Sequence, residues 1–429
     1  MTKPKLSFWQ IWNLSFGFLG VQIGYSLQNS NTSSIFESLG ADVSHLSYFW
    51  LAAPLAGMIV QPIVGLFSDG TWTRWGRRIP YILGGSLISA LALVLMPNCP
   101  KLLAFAPLAM GAFILLFMDL SFNVTMQPFR ALVADMLDDS QKTQGYVVQT
   151  FLINLGAVVG AILPLVMTWL GVSDEAAPGH VSPHIAYSYY AGGAILLLTV
   201  LVTSFKTREY PPGEFARYNN LSEEDAKPMS FVGLMRNVPG VMVRLGVTQF
   251  FSWAALFLMW TYLKPAITGV VTDHATGEVL SAGATQTWVG VLNGTYPIPA
   301  CIAALFLGRV AARYGNKPVY AACLLAGALG LAGLCLLMLP IVGIGIAWAG
   351  ILAMPYAILS RAVEPRRMGV YMGIFNFTIT VPQIVIGLTG GAIVKYCFAS
   401  DAADMLALAG VFMLLAAVAV FPAKEHKAQ

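Results

Sequence analysis

Val60-Gln61-Pro62-Ile63-Val64-Gly65-Leu66-Phe67-Ser68-Asp69, followed by Arg74-Trp75-Gly76-Arg77-Arg78, decides how this chain is read. An apolar segment ends in a Gly and an Asp. A short turn with three Arg in five residues then leads directly into another apolar segment, from Pro80 to Pro97. Loops between membrane helices concentrate Lys and Arg on the cytoplasmic side. The stretch therefore predicts two membrane helices joined by a cytoplasmic loop.

The rest of the chain extends that reading. Hydrophobic residues make up 57% of the 429 and charged residues only 10%, against about 25% charged in an ordinary soluble domain. Apolar runs long enough to cross ~30 Å of hydrocarbon recur twelve times. They fall near 10–32, 46–67, 80–97, 102–128, 143–170, 186–205, 239–263, 285–307, 318–339, 342–360, 369–395 and 403–422. The runs are continuous rather than alternating, so helices are expected and a barrel is not. The expected fold is an all-α membrane protein with twelve transmembrane helices in two six-helix bundles.

With the N-terminus inside, nineteen Lys and Arg fall on the cytoplasmic side and three (Lys101, Lys264, Lys395) outside. Both termini are then cytoplasmic and the protein is multi-pass. The net charge of +4 follows from this topology and does not point to nucleic acid. The five cysteines lack metal spacing, and no cofactor or metal is expected. Lys3 and Lys5 precede an apolar segment that Asn13, Gln22, Gln28 and Asn29 interrupt, which reads as a retained first helix rather than a signal peptide.

The long polar segment 206–238 divides the spans six and six, giving bundles over 1–205 and 239–429 with a linker between them. Internal echoes support two diverged copies. Arg313-Tyr314-Gly315 follows span 8 as Arg74-Trp75-Gly76 follows span 2, and Met354-Pro355-Tyr356 on span 10 parallels Gln127-Pro128-Phe129 on span 4.

Polar groups at membrane depth are costly and few. Asp119 lies well inside span 4. At 100° per residue Asn123 and Arg130 share its face, forming a stripe about 16 Å long. A carboxyl group held away from water suits uptake and release of a proton; a structural Asp paired to a neighbouring helix is the alternative. On span 1, Gln22, Tyr25, Ser26, Asn29 and Ser33 fall within about 100° of one another. Neutral amides and hydroxyls suit a neutral polyhydroxylated ligand, and equally suit interhelical hydrogen bonding. The second half offers Gln249, Trp253 and Asn376, where a Trp ring could stack on a sugar. Asp69, Arg74, Arg77 and Arg78 are expected to form a charge network at an inner gate, with Glu364 and Arg367 as a matching pair in the second half. His45, His180, His184, His274 and His426 all fall in expected loops or the tail, and no catalytic constellation appears, so an enzyme is not expected.

The spacing G-x-x-x-D-x-x-x-x-R-x-G-R-R resembles the loop between the second and third helices of major-facilitator transporters. Gly20-Val21-Gln22-Ile23-Gly24-Tyr25-Ser26-Leu27-Gln28 resembles the first helix of plant sucrose–proton symporters and their animal and bacterial relatives. Asp119-x-x-x-Asn123 with Pro128-Phe129-Arg130-Ala131-Leu132-Val133-Ala134-Asp135 resembles the fourth helix of the same proteins, and Gly373-Ile374-Phe375-Asn376 with Val381-Pro382-Gln383 resembles their eleventh. Phe129 stands where the plant proteins have Cys, and the helix-7 segment Gln249–Trp253 is closer to the bacterial branch. The resemblance implies import of a neutral disaccharide or α-glucoside, of sucrose or maltose type, with a proton. It places coupling on Asp119, a pocket or gating role on Arg130, and Gln22 and Asn123 along the cavity. The implied setting is a monomer in the lipid bilayer of a bacterial inner membrane. A major-facilitator carrier of another solute, or a membrane sensor, are the alternatives.

Overall fold

The computed structural model describes residues 3–39, 46–103, 105–176, 179–221, 231–267, 289, 292, 294–333, 340–398 and 401–422. The described chain is all-helical apart from one isolated bridge between Thr73 and Gly76. The principal helices are α1 (Phe8–Ser38), α2 (Leu46–Gly70), α3 (Ile79–Leu95), α4 (Pro107–Met136), α5 (Lys142–Trp169), α6 (Pro183–Lys206) and α7 (Gly240–Ile267). They continue with α8 (Pro297–Tyr314), α9 (Asn316–Gly333), α10 (Pro340–Leu359), α11 (Met368–Phe375), α12 (Phe377–Cys397) and α13 (Ala403–Ala419).

Proline sets many of the starts. α4, α6, α8 and α10 each begin on a Pro, whose missing N–H costs nothing in a first turn. Seven helices among the described residues are long and apolar enough to cross a membrane, and one of these spans Pro365–Cys397, taking in α11 and α12. α1 is 31 residues long but is not among them, because Gln22, Gln28, Asn29 and their polar neighbours dilute its apolar content. The eleventh span is interrupted at Asn376, whose N–H bonds to Gly373 O at 3.1 Å, a local tightening toward 3₁₀ geometry.

Boundaries differ from the sequence expectation at several helix ends: the fourth span runs Pro107–Met136 rather than 102–128, and the first continues to Ser38 rather than 32. The sixth helix begins at Pro183, so His184 lies in its first turn rather than in a loop. The eighth runs to Tyr314, later than position 307, and ends where Gly315 takes φ +88°. The linker contributes short helices at Pro212–Tyr218 and Phe231–Arg236.

The chain forms two compact units. The first comprises Met1–Gly233 together with Val363–Asn376, and the second comprises Leu234–Ala362 with Phe377–Gln429. In the first, α1 packs on α5 and α6, α3 on α4 and α6, and α2 on α4 and on α11. Thr203 ties α6 to α1 by accepting from Gly17 N at 2.7 Å and donating to Asn13 O at 2.8 Å. Such bonds hold helices together where lipid offers no hydrophobic driving force. In the second unit α7 packs on α12 and α13, α9 on α10 and α13, and α8 on α10.

Candidate functional site

The first unit carries two polar constellations along α4. The deeper one centres on Asp119, which is 2% exposed. Gln28 Nε2 donates to Asp119 Oδ1. Asn123 Nδ2 donates back to the Asp119 carbonyl at 2.8 Å, one helical turn along α4. Gln61 Nε2, on α2, donates to Asn123 Oδ1 at 2.7 Å. Among the described residues, no basic side chain forms an ion pair with Asp119.

Gly57, on α2, has Asn123 and Asn376 on either side. A methyl group placed there would stand 3.0 Å from Asn123 Oδ1 and 3.2 Å from Asn376 Nδ2. The absence of a side chain at residue 57 lets two amides from α4 and the eleventh span face the same strip of α2.

The span-1 stripe divides. Gln22, Tyr25 and Ser26 are half-buried and Asn29 is exposed. Tyr25 and Asn29 share a side-chain hydrogen bond. Ser26 Oγ donates to Ala157 O of α5 at 2.9 Å, so its hydroxyl proton is committed to helix packing. Arg130 is half-buried, and its carbonyl accepts from Tyr146 OH at 3.1 Å.

The second constellation lies at the basic turn. Gly76, at φ +110°, is a conformation that a side chain disfavours, and it brings Arg77 and Arg78 round onto α4. Arg78 is completely buried. Its Nη2 meets Asp69 Oδ1 at 2.5 Å, its Nε meets Asp135 Oδ2 at 2.8 Å, and its Nη1 reaches Ser68 Oγ at 2.5 Å. These two carboxylates hold the guanidinium's proton more tightly than usual despite burial. Arg77 pairs with Asp135 Oδ1 at 2.7 Å and lies over the Phe215 ring at 4.1 Å. Asp69 also accepts from Gly369 N at 2.9 Å and Val370 N at 2.8 Å, capping the start of α11. Gln127 donates to Gly369 O. Breaking one member of such a buried cluster costs about 3–5 kcal/mol, because it leaves the others charged and unpaired.

Glu209, from the linker, accepts from Arg78 N at 2.8 Å and Ile79 N at 3.0 Å. It satisfies orphan donors at the start of α3, with its own acidity weakened by burial. Lys3 Nζ donates to Ala134 O at 3.3 Å and Leu137 O at 3.4 Å at the end of α4. Burial lowers its pKa to about 8.

Arg74 stays outside this cluster: it is exposed and lies over the Trp75 ring at 5.3 Å. Glu364 and Arg367 pair with each other at 2.9 Å just ahead of α11, in the first unit rather than apart from it.

In the second unit Gln249 is fully buried. Its Oε1 accepts from Tyr320 OH at 3.0 Å, while its Nε2 has no hydrogen-bond partner. Trp253 Nε1, one turn further along α7, likewise has none. Trp253 packs edge-on against Trp348 (5.5 Å between ring centres), which also meets Trp260 at 6.0 Å and Tyr296 at 5.9 Å.

Sequence reasoning brought together Asp119 with Asn123, and Asp69 with Arg77 and Arg78. It passed over Gln28, Gln61, Asp135, Glu209, Lys3 and Trp348. Gln28 carried a usable signal as an amide at membrane depth, but it falls about 60° beyond the edge of the span-1 stripe.

A family model for MFS/sugar transport proteins matches residues 35–366. The chain belongs to the MFS/sugar transport protein family. This family member is similar to the rice sucrose transport protein SUT5, at 25% identity over 87% of this chain and 80% of that one. It is 26% identical to the Arabidopsis sucrose transport protein SUC4 over 87% of this chain and 81% of that protein. The general alpha-glucoside permease of Schizosaccharomyces pombe is 25% identical over 61% of this chain and 48% of the permease. Two solved structures share the fold at 12% identity. They are the E. coli fucose:proton symporter FucP (TM-score 0.72, covering 98% of each chain) and the proton:xylose symporter XylE (TM-score 0.70, covering 97% of this chain and 96% of that one). The fold is therefore the twelve-helix major-facilitator architecture, and the family member is a multi-pass membrane carrier of sugars rather than an enzyme.

Proposed function

We propose that this protein imports a neutral disaccharide or α-glucoside together with a proton, by alternating access across a bacterial inner membrane with both termini in the cytoplasm. The observation that carries the proposal is Asp119. It is a carboxyl group deep in α4 held by a neutral amide, with no basic partner among the described residues. An acid placed so can bind a proton without first breaking an ion pair.

The names of the plant relatives and of the yeast permease support the substrate class. Proposed sugar ligands in the first unit are Gln22, Tyr25, Ser26, Asn29, Asn123, Arg130 and Asn376. In the second they are Gln249 and Trp253, whose two unpartnered N–H donors suit hydroxyl acceptors of a sugar. We assign Asp69, Arg77 and Arg78, with Asp135 added, to an inner gate. Arg74, Glu364 and Arg367 belong to its rim. The protein is proposed to act as a monomer.

Coupling is energetically sufficient, since one charge moving through 100 mV contributes about 2.3 kcal/mol, some fifty-fold accumulation. The test is uptake of sucrose, maltose, trehalose, glucose and a glucoside into proteoliposomes, with and without an inward proton gradient. Gradient-driven accumulation of a disaccharide is expected in the wild type, and Asp119→Asn should lose accumulation while retaining sugar exchange. Full accumulation by Asp119→Asn would overturn the coupling assignment, and uptake confined to glucose would overturn the substrate class.

A further inference from the structure

Two buried glutamines, one against Asp119 and one against Asn123, are each satisfied at one end only. Gln28 is completely buried; its Nε2 donates to Asp119 Oδ1 and its Oε1 has no hydrogen-bond partner. Gln61, 5% exposed, gives its Nε2 proton to Asn123 Oδ1, and its Oε1 is likewise without a partner. Buried polar atoms are nearly always hydrogen-bonded, and each exception calls for an explanation. For Gln28 the explanation lies in what it faces.

An ionised carboxylate only accepts hydrogen bonds, whereas a protonated carboxyl group must also donate one. A primary amide can serve both forms. Its NH₂ donates to the carboxylate. After a half-turn of its terminal torsion, its carbonyl oxygen accepts from the carboxylic acid. That torsion is broad and roughly two-fold in glutamine, so no backbone movement is needed. In either orientation one end of the Gln28 amide is matched by Asp119 and the other is left over. The two orientations thus carry similar penalties, and the proton on Asp119 decides between them.

The surroundings leave this decision to Asp119. Among the groups around it, α1 supplies Tyr25 and α4 itself supplies Arg130, which lies further along the stripe. α2 presents the neutral Gln61, bonded to Asn123 one turn along, and Ser89 of α3 meets α4 at Ser121, round the helix from Asp119.

We propose that Gln28 is a positioning residue for the proton step, its carboxamide turning over as Asp119 gains or loses a proton and so holding the carboxyl group in both states. This rests on Asp119 being the coupling acid. When a proton binds Asp119, the Gln28 N–H···O bond breaks and an Asp119 O–H···Oε1 bond forms. Gln28 itself neither gains nor loses a proton.

The experiment compares wild type, Gln28→Met, Asp119→Asn and the double variant in proteoliposomes. It reads gradient-driven uptake of sucrose and maltose against pH, together with gradient-independent exchange. Methionine matches glutamine in length but offers no donor to the carboxylate, so the charged form loses support. The pH midpoint of driven uptake should rise by about one unit, with exchange retained at acid pH and no further pH effect in the double variant. A wild-type midpoint in Gln28→Met overturns the proposal. Accumulation persisting in Asp119→Asn overturns the coupling reading instead, whatever Gln28→Met does.

A second measurement needs no variant. Infrared difference spectra of the purified wild type between acid and alkaline pH, with and without isotope-labelled glutamine, should show a carboxyl band and a glutamine amide band changing together. A carboxyl band that titrates with no glutamine response overturns the proposal.

Discussion

Replacing Asp69 with Asn probes the basic-turn cluster at its most connected carboxylate. Its side chain is 8% exposed and accepts from Arg78 Nη2, Gly369 N and Val370 N. Asparagine keeps one acceptor oxygen and turns the other into an NH₂, which faces a donor with a donor. It also removes one of the two charges that neutralise Arg78. A hydrogen bond to a charged group is worth about 1.5–3 kcal/mol, and an unpaired buried donor costs about 1–3 kcal/mol. After local relaxation, ~3 kcal/mol is a fair figure, roughly 150-fold in an equilibrium constant. If the cluster holds one of the two transport conformations, that penalty falls on the conformational equilibrium and leaves the sugar contacts within each state intact. Initial rates of sugar exchange in proteoliposomes, taken across a range of sugar concentrations, should show Vmax reduced about tenfold or more and KM changed less than about threefold. A KM raised tenfold at unchanged Vmax would refute the gate assignment, because it would place Asp69 among the sugar ligands.

Gly57→Ala should press on the amides of Asn123 and Asn376 and lower Vmax/KM about fivefold, an overpacking cost of ~1 kcal/mol, checked by uptake normalised to protein in the membrane. Glu209→Ala removes the one carboxylate oxygen that accepts from both Arg78 N and Ile79 N at the start of α3 and should lower stability by about 1–2 kcal/mol, read as a drop in the melting temperature of the detergent-solubilised protein. Lys3 has its pKa lowered to about 8, so the unfolded chain binds more protons than the docked segment between pH 8 and 10.5, and docking strengthens as pH rises through that window. Protease cleavage near residue 3 should therefore slow from pH 7.5 to pH 9.5, and the dependence should vanish in Lys3→Met.

Much of the architecture is visible in the linear chain because lipid imposes one rule on every span. Each must satisfy its backbone internally and show few charges, so the runs of apolar residues and the Arg-rich turn identify themselves. Asp69 and Arg78 are nine residues apart and could be paired by spacing alone. Asp135 and Glu209 join the same cluster from 57 and 131 residues away, and nothing in either local sequence announces it. Asp135 ends a helix and Glu209 sits in a polar linker, where a solvated carboxylate is the ordinary expectation. Gln28 was missed for another reason. The helical-wheel argument selects residues that share a face, whereas Gln28 sits beside the span-1 stripe and meets Asp119 on another helix. The Trp253–Trp348 pairing joins two spans 95 positions apart, and periodicity carries no information about such contacts.

The capping of α11 by Asp69 also bears on how the protein is made. The carboxylate is synthesised early, yet two of its partners, the N–H groups of Gly369 and Val370, lie 300 and 301 residues downstream. The whole run from Leu234 to Ala362, which belongs to the second unit, leaves the ribosome between them. The first unit therefore cannot finish folding when its own six spans have been inserted. It waits with Asp69 held by Arg78 alone until residue 376 has been translated, so assembly of the two units is interleaved in time rather than sequential.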